Sequence, residues 1–156
     1  MRFEGISVVV PVYNSEQTLE PLVSRLRAVL SDCADNFEII LVNDGSKDSS
    51  WQVIVKLVEV NSFVSGVNMM RNYGQHNALL AGIRMARFGI IVTIDDDLQH
   101  PPEEIPKLLE KLNEGFDVVY GTARAERHGL WPGIADYEGG DEQRYECQSS
   151  LQGQRF

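Results

Sequence analysis

Short apolar runs that alternate with helical patterns constrain the fold of this chain more than any other feature. Five runs that contain valine or isoleucine occupy residues 6–10, 38–42, 64–69, 90–94 and 117–120. Helical patterns or helix-start signals follow the first four runs, over residues 18–31, 49–60, 78–87 and from 101 onward. Apolar strands separated by helices build a mostly parallel sheet. We therefore predict an α/β fold with helices on both faces of the sheet.

Polar segments follow three of the predicted strands. They read PVYNSE at residues 11–16, NDGSKD at 43–48 and DDDLQH at 95–100. Ligands of open parallel sheets bind beyond the carboxyl ends of the strands. The sequence therefore predicts that these segments meet at one rim and form a binding site.

Asp95, Asp96 and Asp97 give the strongest chemical signal. Three adjacent carboxylates repel one another unless a cation or solvent compensates their charge. Mg²⁺ and Mn²⁺ prefer oxygen ligands and often bind carboxylates and substrate phosphates at the same time. In an extended segment Asp95, Asp97 and Gln99 point to one face and Asp96 to the other. We predict that Asp97, with Asp95 and Gln99, holds a divalent metal (Mg²⁺ or Mn²⁺) on a diphosphate, and that Asp96 faces another part of the ligand. The alternative is an acidic loop before a helix that starts at Pro101.

Asp44 and Arg71 each have two interpretations. The Asp44-Gly45 pair is typical of a turn, but the carboxylate of Asp44 could equally accept hydrogen bonds from a nucleobase or ribose. Arg71 could contact a phosphate or pair with the aspartates. His76 and His100 are predicted to lie on the surface or to support the site without contacting the ligand, because no serine or cysteine nucleophile motif accompanies them.

Composition excludes several classes of function. The chain has 156 residues and a net charge of -9, which argues against nucleic acid as a partner. No apolar stretch reaches the roughly 18 residues that span a bilayer, and no P-loop or G-x-G-x-x-G motif occurs. Cys33 and Cys147 show no zinc-like spacing. We expect a soluble, cytoplasmic chain with reduced thiols.

The periodic pattern stops near Gly129. The remaining segment is rich in glycine, glutamine and acidic residues and shows no clear period. We therefore expect one domain over residues 1–128 and an irregular, poorly ordered tail over 129–156.

Four motifs in this order resemble family 2 glycosyltransferases, and within them the polyprenyl-phosphate sugar transferases. The motifs are VPVYN at 10–14, VNDGSKDS at 42–49, RNYGQ at 71–75 and DDDLQHPPE at 95–103, and the resemblance extends from about residue 6 to 127. The segment VYGTAR at 119–124 is also similar to the end of the family's catalytic half.

The resemblance implies a Rossmann-like nucleotide-diphosphosugar transferase fold. It implies an inverting transfer of a sugar from a UDP- or GDP-linked donor to an acceptor, here a polyprenyl phosphate, at the cytoplasmic face of a membrane. A divalent metal would assist. The residues that it implies around the nucleotide sugar are Pro11, Tyr13, Glu16, Asp44, Asp95 and Asp96, with Asp97, Asp95 and Gln99 at the metal.

Two departures from the family pattern leave alternatives open. Ser15 stands where the family usually has glutamate, and no acceptor-site segment is recognisable after Arg127. The chain could therefore bind a nucleotide sugar without transferring it. A phosphatase with Asp95 as nucleophile is a third interpretation, although Gln99 does not fit that motif. The residues name no catalytic base and no oligomeric state.

Overall fold

The computed structural model describes residues 2–123, 135–138 and 143–148. The chain divides into one unit that ends at Glu103 and a second that begins at Glu104. The first unit contains β1 (Phe3–Val12), α1 (Leu19–Cys33), β2 (Ala34–Asn43), α2 (Ser50–Val60), β3 (Val64–Asn68), α3 (Gln75–Met85) and β4 (Ile90–Thr93). The second contains α4 (Ile105–Asn113), β5 (Val118–Ala123), β6 (Ala135–Glu138) and β7 (Gln143–Gln148), and a short 3₁₀ turn at Pro102–Glu104 precedes α4.

The first unit is built on a four-stranded parallel sheet in the order β3-β2-β1-β4. The central strand β1 is fully buried at Ile6, Val8, Val9 and Val10. Removing these β-branched side chains from water on both faces favours the sheet, since burying one such side chain contributes about 1.5–3 kcal/mol. The predicted parallel α/β fold is confirmed.

Helices cover both faces of this sheet. Val9 and Val42 point to one face, where they form a core cluster with Ala78 of α3. A Cβ atom built on Gly82 of α3 would lie 2.4 Å from Val9 Cγ1, so this helix sits unusually close to the sheet. Gly66 of β3 points to the opposite face, toward Ile54 of α2, and α1 packs beside α2.

A buried carboxylate joins β1, β2 and the segment before β4. Glu38 is 5% exposed and accepts hydrogen bonds from Ser7 Oγ and from the Arg87 backbone N–H, each at 2.7 Å. Its second oxygen accepts from Arg87 Nε at 2.7 Å. Burial on its own would raise the pKa of Glu38, but the hydrogen bonds from Arg87 and Ser7 outweigh it and hold this pKa below its ordinary value.

The second unit differs from the sequence prediction in two ways. The predicted fifth strand forms as β5, but it pairs antiparallel with β7, which also pairs antiparallel with β6. The strands β6 and β7 lie within the 129–156 segment that we expected to be irregular. The domain boundary expected at residue 128 and Arg124 lie outside the described residues. No helix in the described part of the chain is long and apolar enough to cross a membrane.

Candidate functional site

A cavity of about 320 Å³ opens at the carboxyl ends of β1, β2 and β4. These strands are neighbours in the sheet, so the three polar segments predicted to share a rim do meet there. The cavity is lined by Pro11, Val12, Tyr13, Asp44, Asn72, Gly74, Gln75, Asp95, Asp96 and Asp97.

The loops after β1 and β2 hold each other in place. Asn14 adopts a left-handed conformation with a φ of 54°, which asparagine tolerates better than most residues. Its backbone N–H donates to Ser46 Oγ at 3.0 Å, and its side-chain oxygen accepts from the Lys47 N–H at 2.8 Å. Glu16 Oε2 accepts from the Ser49 N–H at 2.8 Å. The two loops therefore satisfy each other's polar groups.

Asp48 organises the start of α2 from the position just before the N-cap residue Ser49. Its Oδ1 accepts from the Ser50 N–H at 3.0 Å and from Ser50 Oγ at 2.6 Å, and its Oδ2 accepts from the Glu16 N–H at 3.2 Å. Burial works to raise the pKa of Asp48, but these hydrogen bonds from Ser50 and Glu16 lower it below its ordinary value. Asp48 therefore stays ionised at neutral pH.

Asp44 anchors the segment that precedes α3. The residue is 3% exposed, and its two carboxylate oxygens accept from the backbone N–H groups of Tyr73 at 2.7 Å and Gly74 at 2.9 Å. The neighbouring Gly45 has a φ of +68°, and a Cβ there would lie 2.5 Å from the Asn72 nitrogen. A glycine is required for this close approach. The turn interpretation of Asp44-Gly45 is confirmed, while base or ribose recognition by Asp44 stays a prediction.

The three aspartates have different partners. Asp95 Oδ1 accepts from Gln75 Nε2 at 2.7 Å, whereas Asp96 Oδ2 accepts from the Tyr13 N–H at 3.0 Å and from Ser15 Oγ. Asp97 Oδ1 accepts only the nearby backbone N–H of Gln99, at 3.0 Å, among the contacts that the structure describes. Asp97 is also the most exposed of the three. Asp97 is therefore the aspartate whose carboxylate is most available to a ligand.

The predicted extended conformation of residues 95–99 is wrong. The strand β4 ends at Thr93, the chain turns at Asp96 and Asp97, and Leu98 has a left-handed φ of 61°. The alternation that would carry Gln99 onto the face of Asp95 is broken by this turn. Gln99 is exposed and does not line the cavity.

The donors that hold the aspartates are neutral. Asp44 and the three aspartates bring four carboxylates to the cavity, and within the described residues no lysine or arginine lines it. Arg71 instead stacks over the Tyr73 ring, with its guanidinium carbon 4.8 Å from the ring centroid. A neutral donor does not offset the negative charge of a carboxylate as a lysine or arginine would. The cavity therefore favours binding of a cation.

The donor chemistry of the cavity fits a hard divalent cation. Carboxylate oxygens are the ligands that Mg²⁺ and Mn²⁺ prefer. In the described part of the chain no three Asp, Glu, His or Cys side chains converge to hold a metal on their own. Sites for Mg²⁺ often use only one or two carboxylates and complete the shell with substrate phosphates. A site of that kind requires no third protein carboxylate.

Six of the nine predicted site residues come together in the cavity: Pro11, Tyr13, Asp44, Asp95, Asp96 and Asp97. The structure places Glu16, Arg71 and Gln99 elsewhere. The Glu16 carboxylate accepts a hydrogen bond at the start of α2, and the Arg71 guanidinium stacks over the ring of Tyr73. The exposed positions of His76 and His100 agree with the predicted surface role.

Four lining residues were not predicted: Val12, Asn72, Gly74 and Gln75. Three of them belong to the RNYGQ motif at 71–75, in which sequence reasoning assigned a role only to the arginine. A signal for Gln75 was present, because a polar residue at a helix start after a strand of this sheet points toward the same rim.

Comparison with known proteins relates the chain to one family. It matches the Glycosyl transferase family 2 model over residues 7–147, which extends past residue 127, where the motif resemblance was expected to end. The undecaprenyl-phosphate 4-deoxy-4-formamido-L-arabinose transferase of Aeromonas hydrophila is 46% identical over 127 residues, 81% of this chain and 39% of the relative. The Shewanella sediminis protein of that name is 46% identical over 78% of this chain and 37% of the relative. The chain thus spans about two fifths of the length of these relatives.

Solved structures share the fold. A mannosyltransferase from Pyrobaculum calidifontis, solved with GDP-mannose and Mn²⁺, has a TM-score of 0.61 at 20% identity and covers 78% of this chain and 35% of its own. Glucosyl-3-phosphoglycerate synthase from Mycobacterium tuberculosis, solved with Mn²⁺, uridine diphosphate and glucosyl-3-phosphoglycerate, has a TM-score of 0.56 at 26% identity over 70% of this chain and 39% of its own. The fold is that of GT-A type glycosyltransferases.

Proposed function

Because the chain belongs to glycosyl transferase family 2, we propose that it binds a nucleotide-diphosphosugar in the cavity beyond β1, β2 and β4 and transfers the sugar, with inversion, to a polyprenyl phosphate. The observation that carries this proposal is the aspartate cluster at 95–97, held in a cavity by neutral donors. The names of the relatives that are 46% identical support the lipid-phosphate acceptor. A place at the cytoplasmic face of a membrane is part of the same proposal.

The residues of the cavity divide the work of holding the donor. Tyr13, which is 43% exposed, offers its ring as a stacking surface for the base, and Pro11 and Val12 give an apolar wall beside it. Asp44 keeps the segment before α3 closed against the sheet. One oxygen of Asp95 accepts a hydrogen bond from Gln75, and one oxygen of Asp96 accepts from the Tyr13 N–H. The second oxygen of each carboxylate can accept from a ribose or sugar hydroxyl.

Asp97, supported by Asp95, would hold a divalent metal against the diphosphate. When bound, such a metal neutralises the charge that develops on the departing nucleoside diphosphate. The neutral donors Gln75 and Tyr13 N–H contribute here by leaving the carboxylate charge available. Gln99 is not required in this arrangement, because it lies outside the cavity lining.

A phosphate acceptor removes the need for a strong base. A phosphate monoester has a second pKa near 6, so it is largely ionised at neutral pH and can attack the anomeric carbon directly. This agrees with a cavity in which every carboxylate already accepts a hydrogen bond from the protein. We therefore assign no residue as catalytic base.

Calorimetric titration of UDP, GDP and their sugars tests the proposal, first with Mn²⁺ and then with EDTA. We expect one nucleotide to bind with Mn²⁺ and to lose at least about tenfold in affinity when EDTA removes the metal. The variant Asp97→Asn should show the same loss, whereas Asp32→Asn, which makes the same charge change on the exposed surface of α1, should bind as the wild type does. Metal-independent binding that Asp97→Asn leaves intact would contradict the assignment of Asp97.

Transfer is measured separately from binding. The 156-residue chain is incubated with the nucleotide sugar that binds and with a polyprenyl phosphate, and the glycolipid product is quantified. Formation of product supports the complete proposal. Metal-dependent binding without product would favour the alternative left open by the sequence, a chain that holds the donor without transferring its sugar.

A further inference from the structure

We propose that Ser15 is a positioning residue that fixes the orientation of Asp96 in the nucleotide-sugar site, an inference that rests on the proposed function. Ser15 does not line the cavity, and its hydroxyl donates to Asp96 Oδ2. The same carboxylate oxygen accepts from the Tyr13 N–H at 3.0 Å. The loop after β1 thus holds one oxygen of Asp96 through two donors.

Ser15 is itself held from both sides. Its N–H donates to Ser50 Oγ at 2.8 Å, and Ser50 is fully buried. Ser50 Oγ donates in turn to Asp48 Oδ1 at 2.6 Å. The Ser15 carbonyl accepts from both the N–H and the Oγ1 of Thr18, each at 3.1 Å. The hydroxyl therefore starts from a backbone whose N–H and C=O are both satisfied inside the fold.

This arrangement makes the orientation of Asp96 depend on Ser15. Asp96 lies between two other carboxylates on a turn, and mutual repulsion favours its rotation away from Asp95 and Asp97 toward water. The Tyr13 N–H alone is one hydrogen bond, and it leaves the carboxylate free to swing about that donor. With both donors in place Oδ2 is fixed, and only Oδ1 of Asp96 remains to meet a ligand.

The serines of this region use their hydroxyls in two different ways. Ser46 and Ser50 use their hydroxyls to accept backbone N–H groups from residues 14 and 15, so they shape the loops. The hydroxyl of Ser15 contacts Asp96, a carboxylate of the site, as well as the Tyr13 carbonyl. Its removal is expected to change ligand binding more than it changes the fold.

The test compares the wild type with Ser15→Ala and Ser15→Thr. Binding of the nucleotide and of Mn²⁺ is measured by calorimetry, and melting temperatures are recorded. We expect Ser15→Ala to weaken nucleotide binding about tenfold, which corresponds to about 1.4 kcal/mol, with little change in melting temperature. Ser15→Thr should restore binding, because it keeps the hydroxyl. Ser31→Ala is the control, since that exposed hydroxyl donates only to the Arg27 carbonyl within α1.

A double-mutant cycle with Asp96→Ala tests whether Ser15 acts through Asp96. If it does, Ser15→Ala weakens binding in the wild type and has no further effect in the Asp96→Ala background. Equal losses in the two backgrounds would overturn the inference. So would a loss that only follows a fall in melting temperature.

Crystal structures of the wild type and Ser15→Ala keep this inference separate from the proposed function. In the variant, Asp96 should lose its fixed orientation and rotate about the Tyr13 N–H. If Asp96 keeps its orientation without the Ser15 hydroxyl, the inference is refuted whatever the chain binds. If the wild type binds no nucleotide, the proposed function fails, and the orientation of Asp96 still decides the role of Ser15.

Discussion

Replacing Glu38 with glutamine should destabilise the first unit by an amount that depends on pH. The glutamine oxygen can keep the hydrogen bonds from Ser7 Oγ and the Arg87 N–H, but its NH₂ group faces Arg87 Nε, which is also a donor. One charge-assisted bond is lost and two become neutral. A hydrogen bond to a charged group contributes about 1.5–3 kcal/mol.

The lower part of that range applies, because the side chain of Arg87 is 67% exposed and can turn to water. We expect a loss of about 2 kcal/mol at neutral pH, which lowers the melting temperature of a chain of this size by about 4–8 °C. The pKa of Glu38 in the folded protein lies below its ordinary value of 4.5. Its stabilising contribution is therefore complete above pH 4.5 and is lost as the pH falls through the folded-state pKa.

Thermal unfolding followed by circular dichroism from pH 3 to pH 8 measures both effects. The difference in melting temperature between the wild type and Glu38→Gln should stay constant above about pH 5.5 and become smaller in acid. Glu59→Gln is the matched control, because Glu59 is exposed on α2 and its substitution removes the same charge. A variant as stable as the wild type at pH 7, or a difference in melting temperature unchanged at pH 3, would show that ionised Glu38 does not stabilise the first unit through Arg87 and Ser7.

Two glycines give further predictions. Gly45→Ala places a Cβ 2.5 Å from the Asn72 nitrogen at a φ of +68°, so we expect a loss of about 1–3 kcal/mol in urea unfolding and weaker nucleotide binding in calorimetry. Binding that survives unchanged would show that residue 72 need not sit against residue 45. Gly82→Ala places a Cβ 2.4 Å from Val9 Cγ1, so overpacking of about 1–3 kcal/mol should exceed the gain of about 1 kcal/mol in helix propensity. A variant more stable than the wild type would contradict that balance, and nucleotide affinity should not change.

The rim of the site could be predicted because parallel pairing of the strands and the position of the ligand follow from simple rules. Apolar runs such as residues 6–10 are too short and too rich in β-branched residues for exposed helices, and helices between them impose parallel pairing. Parallel strands then deliver Asp44 and the aspartates 95–97 to one edge. The motif order added the family, which the match over residues 7–147 confirms.

The side-chain partners within the rim could not be predicted in this way. Glu16 and Arg71 are close in sequence to residues that line the cavity. Contacts within the loops instead direct Glu16 to the Ser49 N–H and Arg71 to the ring of Tyr73. The turn at Leu98 has no sequence signal, since leucine seldom adopts a left-handed φ. These outcomes depend on tertiary contacts that no local pattern encodes.

The strands β6 and β7 were missed for a different reason. Residues 143–148 read QRYECQ, in which Tyr145 and Cys147 alternate with charged residues. That alternation is typical of a half-exposed strand, but it is short and lies in a segment dominated by glycine and polar residues. The composition of the whole 129–156 segment indicated irregular structure, although the residues within 143–148 alternate with a period of two.

The interlocked loops of the site should open to solvent as one unit. The Asn14 N–H donates to Ser46 Oγ in the loop after β2, the Ser15 N–H donates to Ser50 Oγ at the start of α2, and the Lys47 N–H donates back to Asn14. Asp44 extends the same set of contacts to the Tyr73 N–H. Amide hydrogen exchange at these positions should therefore share one opening free energy, because exposing any of these amides breaks the bonds that protect the others. The rim is then a single cooperative element whose exchange rates, measured together, report how often the site is disassembled.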